Sequence, residues 1–211
     1  MPRPDSGVEL LERALGYTRG ALLHVRPAHL HRPTPCAGWS LDQLLDHMHD
    51  ALDAFTEGAD GTIAAEQPRC ALDVRVATLQ AKACGLLGAW SRPSTPDHVL
   101  VGGLPVPTAV ITRAAALEIT TPGWDVAQAT GRGTPVPDDL ARELGSVAVR
   151  LVDPADRGTR FAPPLHPGPG AGPGEALLAF LGRSALPGAG DLTGPVAQVS
   201  LKRGTAQRPA S

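Results

Sequence analysis

The sequence predicts an all-α fold: a four-helix bundle with a short β-like hairpin before the fourth long helix and a small C-terminal extension. Apolar residues make up 42% of the chain but aromatic residues only 3%, so Leu, Val and Ala must build the core, which favours closely packed helices. Four long segments carry apolar residues at helical spacing. An α/β fold is not expected, because it would need strands that alternate with helices along the chain.

The first helix is predicted over residues 6–26. Ser6 and Glu9 have the spacing of a capping box, in which each side chain satisfies a backbone amide at the helix start. The apolar positions that follow recur at helical spacing, namely Val8, Leu11, Leu15, Leu22 and Val25.

The second helix has the clearest start signal in the chain. Ser40 is expected to cap it, Gln43 to complete a capping box, and Trp39 to pack onto Leu44 across the first turn. Gly58 is expected to end this helix. Its core-facing residues are predicted to be Leu41, Leu44, Leu45, Met48, Leu52 and Phe55.

The middle of the chain predicts two further long helices with an extended segment between them. The third helix is expected at about 70–90 and the fourth at about 108–130, with Gly131 closing the fourth as a C-cap. Between them, two short β-like runs over 98–107 flank Gly102-Gly103, which predicts a hairpin or an extended crossover.

The last third of the chain predicts a fifth helix at 138–152 and one short helix at 175–181. The tail 187–211 has little to bury and is expected to dock loosely or to be mobile. We therefore expect a bundle over 1–152 and a loop-rich extension over 153–211 that is not an independent domain.

Composition argues against several classes of function. A formal net charge of −2 does not suit a general nucleic-acid binder, and no apolar run approaches the roughly 20 residues that span a bilayer. Residues 1–5 lack the apolar core of a signal peptide, so we expect a cytoplasmic protein. The three cysteines, Cys36, Cys70 and Cys84, do not form a disulfide framework or a Cys-x-x-Cys zinc pair.

Candidate chemistry lies on the second and fourth helices. Bundles build sites from side chains that face one another across the core. His47 lies on the flank of the second helix, and Glu118 lies among apolar neighbours in the fourth, where a buried charge would need a partner. His49 lies on the opposite flank from His47, so the spacing alone does not choose between the two histidines.

Three motifs carry a resemblance to a known family. The first is Thr34-Pro35-Cys36-x-x-Trp39-Ser40 followed by Leu44-Leu45-x-His47, and the second runs from Glu118 through Pro122-Gly123-Trp124-Asp125 to Thr130-Gly131. The third is the stretch 177–183. In order over about residues 5–184, these motifs resemble the mycothiol-dependent maleylpyruvate isomerase N-terminal family, which belongs to the DinB-like four-helix bundles.

The resemblance implies a metal held by His47 and Glu118, together with a histidine at the position where this chain has Pro122. A proline cannot ligate a metal. It also lacks the amide proton that would bond the carbonyl of Glu118, so the fourth helix is expected to bend or open there. Two protein ligands are too few for a catalytic zinc site unless another group substitutes.

Replacement ligands are few. Asp125 is on the same stripe as Glu118 but seven residues further on, roughly 10 Å along an ideal helix. His49 and Asp50 are the other nearby candidates. Our preferred interpretation is that the site has lost its metal and that no cofactor is bound; the alternative is a site that uses zinc and mycothiol.

Three hypotheses about function follow. The first is a metal-free enzyme that acts on a small molecule, with His47, Glu118 and Asp125 as acid/base groups for isomerisation, cyclisation or elimination. The second is a zinc- and mycothiol-dependent isomerase or thiol transferase. The third is a non-catalytic protein that binds a small ligand or regulates another process, since fold does not fix function. All three expect a small-molecule partner, without nucleic acid or membrane, and leave homodimer formation open.

Overall fold

Four long helices form the body of the protein in the computed structural model, which describes residues 7–36, 38–60, 71–93, 95–158 and 161–186. The helices and strands in chain order are α1 (Gly7–Leu22), α2 (Leu41–Asp60), α3 (Leu72–Trp90), β1 (His98–Val101), β2 (Leu104–Pro107), α4 (Thr108–Ala129), α5 (Asp138–Leu151) and α6 (Pro173–Phe180). The predicted all-α fold with a short hairpin is confirmed. The predicted cap Ser6 and the tail 187–211 lie outside the described residues.

The four long helices pack in a ring, in which each helix contacts two neighbours. Helix α1 packs against α4, α4 against α2, α2 against α3, and α3 against α1. The α1–α4 contact is the most extensive of these. The two helices lie very close at Gly123, where an added Cβ atom would overlap the Thr18 hydroxyl and lie 3.1 Å from the Thr18 Cα atom. Each long helix therefore turns one face toward a shared interior.

The start of α2 has the predicted capping box. The Ser40 amide donates to Gln43 Oε1 at 3.0 Å, and the Gln43 amide donates to Ser40 Oγ at 3.4 Å. The predicted end at Gly58 is wrong, since the helix continues to Asp60. Gly58 lies near the Trp90 ring, where packing between α2 and α3 offsets the weak helix propensity of glycine.

Ion pairs join α2 to α3. The buried Arg75 guanidinium donates to Asp42 Oδ1 and to Asp46 Oδ1, each at 2.6 Å, and Lys82 Nζ lies 2.6 Å from Asp53 Oδ2. Asp42 and Asp46 lie one turn apart, so one guanidinium bridges two carboxylates and reduces the repulsion between them.

The segment before α4 is a two-stranded antiparallel hairpin, as one of the two predicted alternatives had it. Val101 pairs with Leu104, and Gly102 and Gly103 form the turn with φ of 57° and 84°. Two positive φ angles in succession are typical of a two-residue type I′ turn, which glycine adopts without steric cost.

Helix α4 passes through Pro122 without interruption, so of the two predicted alternatives, a bend or an opening, the opening is wrong. Every residue from Ile119 to Ala129 is buried, and such packing stabilises a helix beyond its local propensity. The Thr121 hydroxyl donates to the carbonyl of Leu117 at 2.9 Å, and Thr18 of α1 donates to the carbonyl of Ile119 at 2.9 Å.

The predicted fifth and short final helices are confirmed as α5 and α6. Helix α6 packs against α5, and Leu177, Leu178 and Leu181 lie in the same hydrophobic core as the bundle. Arg157 holds the intervening loop by donating to the carbonyl of Phe180 at 2.8 Å. Among the helices that the structure describes, each is too short or too polar to cross a lipid bilayer.

Candidate functional site

A cavity of about 190 Å³ lies between the four long helices. Most of its lining residues are apolar and come from all four helices. These are Leu15 and Leu22 of α1; Met48, Ala51 and Leu52 of α2; Leu79, Ala83 and Leu87 of α3; and Ile119 of α4. The cavity follows from the ring arrangement, because the α1–α3 contact is the loosest of the four sides and leaves the interior incompletely filled.

The cavity has a solvent-exposed mouth between α1 and α3. Glu12, Gly16 and Arg19 of α1 and Cys84 of α3 line it and are all exposed, whereas Leu15, Leu79 and Ile119 are buried. A Cβ atom added to Gly16 would meet no atom within 4 Å. The glycine therefore leaves the mouth open on the α1 side.

Glu118 is the sequence-predicted site residue that lines the cavity. Its side chain is half-buried and is already engaged in an interaction within the protein. The next residue, Ile119, is held by the hydrogen bond from Thr18, which fixes this part of α4 against α1. A carboxylate in mostly apolar surroundings is a group that can bind a polar end of a ligand or transfer a proton.

His47 has a different environment. Its half-buried ring lies edge-on to the Trp39 ring, with centroids 5.0 Å apart and an interplanar angle of 78°. His47 is not among the residues that line the cavity. The predicted His47–Glu118 acid/base pair thus has one member at the cavity wall and the other packed against the loop that precedes α2.

The two replacement ligands considered on α2 also have different surroundings. Asp50 is exposed, whereas His49 is half-buried and, in the part of the chain that the structure describes, its Nε2 atom has no hydrogen-bond partner. His49 lies on the side of α2 that faces Lys82 and Arg75 of α3. Burial lowers the pKa of His49, and these two positive charges lower it further.

Asp125 lies in a second polar cluster. It is fully buried, and its Oδ2 atom accepts a hydrogen bond from Arg183 Nε at 3.2 Å, while Oδ1 has no hydrogen-bond partner among the described residues. Burial raises the pKa of Asp125 to about 6, against the opposing effect of Arg183. Burial also raises the pKa of the Cys36 thiol and that of Tyr17, and the charge of Asp125 adds to both shifts.

The structure therefore distributes the three predicted catalytic residues over three surroundings: Glu118 in the cavity wall, His47 against Trp39, and Asp125 against Arg183. Sequence reasoning missed the mouth residues Gly16 and Arg19. A glycine in the interior of a helix costs about 1 kcal/mol relative to alanine, so Gly16 was a signal that could have indicated a functional or packing role.

Within the described ranges, no group of three or more His, Cys, Asp or Glu side chains is placed to hold a metal ion. His47 and Glu118, with Pro122 at the third position of the motif, do not supply the three protein ligands of a catalytic zinc site. The residues present thus do not fit the metal that the resemblance implies, and we derive no chemical step through one.

Comparison with known proteins gives two relatives from Mycobacterium tuberculosis: the uncharacterized protein MT0763 of strain CDC 1551 and the uncharacterized protein Rv0738 of strain H37Rv. Each is 30% identical to this chain over 181 residues, which cover 82% of this chain and 95% of the relative. No protein-family model matches the chain, and no solved structure matches it. On this identity and coverage, the chain belongs to the same family as these two mycobacterial proteins.

Proposed function

We propose that this protein binds a small, mostly apolar metabolite in the cavity between α1, α2, α3 and α4. The observation that carries the proposal is the cavity itself, which has a buried apolar floor and the Glu118 carboxylate in its wall. Its volume of about 190 Å³ slightly exceeds the roughly 150 Å³ of an engineered apolar cavity that binds benzene. The ligand is therefore about the size of one aromatic ring or a short branched chain.

We also propose that the protein is cytoplasmic and that it has no nucleic-acid or membrane partner. This proposal is supported by the net charge of −2, which does not suit a general nucleic-acid binder.

A second candidate function is catalysis at the same cavity, and the position of Glu118 favours it. A carboxylate beside an apolar ligand can act as general acid or base for isomerisation, cyclisation or elimination. His47 lies on α2, the helix that packs against α4, and remains the proposed second acid/base group. The discriminating variant is Glu118→Gln: an enzyme of this kind would lose turnover while it still bound its ligand.

The zinc- and mycothiol-dependent alternative rests on the motif resemblance. Metal analysis of protein purified without chelator tests it directly. Stoichiometric zinc that is lost in His47→Ala and Glu118→Ala would support this alternative, and a metal-free protein that binds ligands would count against it.

The cavity proposal is tested with indole, an apolar probe that is close to the cavity in size. Ligands that bind the native state stabilise it by mass action. Indole at about ten times its Kd should therefore raise the melting temperature of the wild-type chain by roughly 3–6 °C. Gly16→Leu should abolish this shift, because the new side chain would occupy the mouth.

Gly20→Leu is the matched control. Gly20 is also an exposed glycine of α1 with no atom within 4 Å of an added Cβ, but it does not line the cavity. This variant should keep the full indole shift. Equal shifts in all three proteins, or no shift in any of them, would contradict the proposed binding site.

A further inference from the structure

We infer that the ligand of this cavity carries a carboxylate, which Arg19 binds at the mouth while the apolar body of the ligand fills the interior. This inference rests on the proposed function and adds the chemical class of the ligand.

The mouth carries two charged side chains without partners. Glu12, Gly16 and Arg19 follow one another at steps of four and three residues, so they lie on one face of α1. Within the described part of the chain, neither Glu12 nor Arg19 has a side-chain hydrogen bond or ion pair, whereas Glu118 is already engaged. A charged group on an incoming ligand would therefore meet Glu12 or Arg19 first.

The geometry of a helix favours Arg19 over Glu12. Helical side chains lean toward the N-terminus of their helix and cover the preceding turn. The long side chain of Arg19 can therefore reach back toward Gly16, which has no side chain of its own and leaves that space open. The shorter side chain of Glu12 leans away from Gly16. The cation, rather than the anion, can thus reach a ligand at the entrance.

The guanidinium chemistry selects a carboxylate. Its planar fork of N–H donors matches the two oxygens of a carboxylate, and such bidentate pairs are stronger than single neutral hydrogen bonds. One guanidinium balances one negative charge, whereas a phosphate dianion would bring a second negative charge to a lining that already holds the carboxylates of Glu12 and Glu118. The ligand class is accordingly an apolar monocarboxylic acid of about one ring.

Three probes of similar shape separate this inference from the proposed function. They are phenylacetate, its neutral counterpart 2-phenylacetamide and its cationic counterpart 2-phenylethylammonium, each titrated calorimetrically at low ionic strength. Phenylacetate should bind roughly threefold to tenfold more tightly than the amide, because the exposed charge-assisted pair adds a modest free energy. Added salt should reduce this preference.

Variants assign the preference to Arg19. Arg19→Gln should make phenylacetate and 2-phenylacetamide equal, and Arg19→Lys should keep part of the preference. Arg150→Gln, which removes an exposed arginine of α5, should leave all three affinities unchanged.

The outcomes are distinguishable. If 2-phenylacetamide binds, Gly16→Leu blocks it, and Arg19→Gln leaves the ratio of the two affinities unchanged, the carboxylate inference is wrong and the cavity proposal stands. Tightest binding of 2-phenylethylammonium would mean that Glu12 governs the mouth and would also overturn the inference. Absence of binding by all three probes would overturn both.

Discussion

Asp125 is a buried carboxyl group at the contact between α4 and the segment after α6. On the helical wheel it shares a stripe with Glu118, which made it a candidate catalytic group and replacement ligand. In the structure it is fully buried against Arg183, with one carboxylate oxygen unpartnered. Its contacts connect the C-terminal segment after α6 to α4, so we expect Asp125 to affect the stability of the protein.

The free energy of unfolding should depend on pH because Asp125 titrates at a different pH in the folded and unfolded states. The folded pKa of about 6 lies above the ordinary value of 3.8, so between these values the native state holds a proton that the unfolded chain has released. The free energy of unfolding should therefore decrease as the pH rises from about 4 to 6 and become level above 6, with a total contribution on the order of 3 kcal/mol.

The measurement is urea unfolding as a function of pH for the wild-type chain and Asp125→Asn. The asparagine keeps the shape and an acceptor for Arg183 but does not titrate, so the difference between the two curves isolates this group. A difference that grows in favour of the wild type as the pH rises from 4 to 6 would show that the ion pair with Arg183 outweighs the cost of burial.

The contacts of a single residue can be predicted from the sequence where they are made within one turn of a helix. Ser40 and Gln43 were assigned their reciprocal hydrogen bonds from spacing alone, and the structure has both. The surroundings of His47 and Asp125 could not be predicted in this way. They depend on contacts with Trp39 and Arg183. Trp39 lies in the loop before α2 and Arg183 in the segment after α6, and a helical wheel shows neither residue.

At the scale of elements, the contact between α1 and α4 depends on glycine. Gly123 lies against Thr18, whose hydroxyl bonds the carbonyl of Ile119. A side chain at position 123 would have to displace this threonine and break that hydrogen bond. The close approach of the two helices thus requires the glycine immediately after Pro122.

Gly123→Ala should destabilise the protein by about 2 kcal/mol, because the added methyl group overpacks the α1–α4 contact. Gly20→Ala should have the opposite effect and stabilise it by roughly 0.5–1 kcal/mol, since alanine is the better helix former and Gly20 has free space. Chemical denaturation of both variants beside the wild type checks the pair. A neutral or stabilising Gly123→Ala would contradict the close contact.

Element-level prediction failed where tertiary packing overrides a local rule. The hairpin at Gly102-Gly103 followed from turn chemistry. The expected bend or opening of α4 at Pro122 followed from an equally sound local rule, yet the helix continues without opening. Burial of the whole stretch from Ile119 to Ala129 supplies stabilisation that single-sequence reasoning could not weigh against the lost hydrogen bond.

For the whole molecule, helical periodicity gave the fold class but not the order of the helices around the core. The cavity exists because α1 and α3 are neighbours with a loose contact. Periodicity shows which face of a helix is buried, but it does not show which helix covers that face. Arg19 could therefore not be placed at a cavity mouth before the ring order of the helices was known.

The extension after α5 should be required for the bundle to fold. Phe161, Leu177, Leu178 and Leu181 are all buried in the common core, and each contributes roughly 1.5–3 kcal/mol by leaving water. A chain ending at residue 152 loses all four and leaves Asp125 buried without Arg183. The four contributions sum to roughly 6–12 kcal/mol, which is comparable with the 5–15 kcal/mol that ordinarily separates folded from unfolded domains. Calorimetry should show no cooperative transition for this chain near the wild-type melting temperature.

A chain ending at residue 186 is the matched control, because it keeps every contact that the structure describes, including the Arg183–Asp125 pair. It should unfold in one cooperative transition whose calorimetric and van't Hoff enthalpies agree. If the chain ending at residue 152 instead unfolded cooperatively at the wild-type temperature, residues 153–186 would be an appendage on a self-sufficient bundle. The shared core implies the reverse, that bundle and extension fold as one unit.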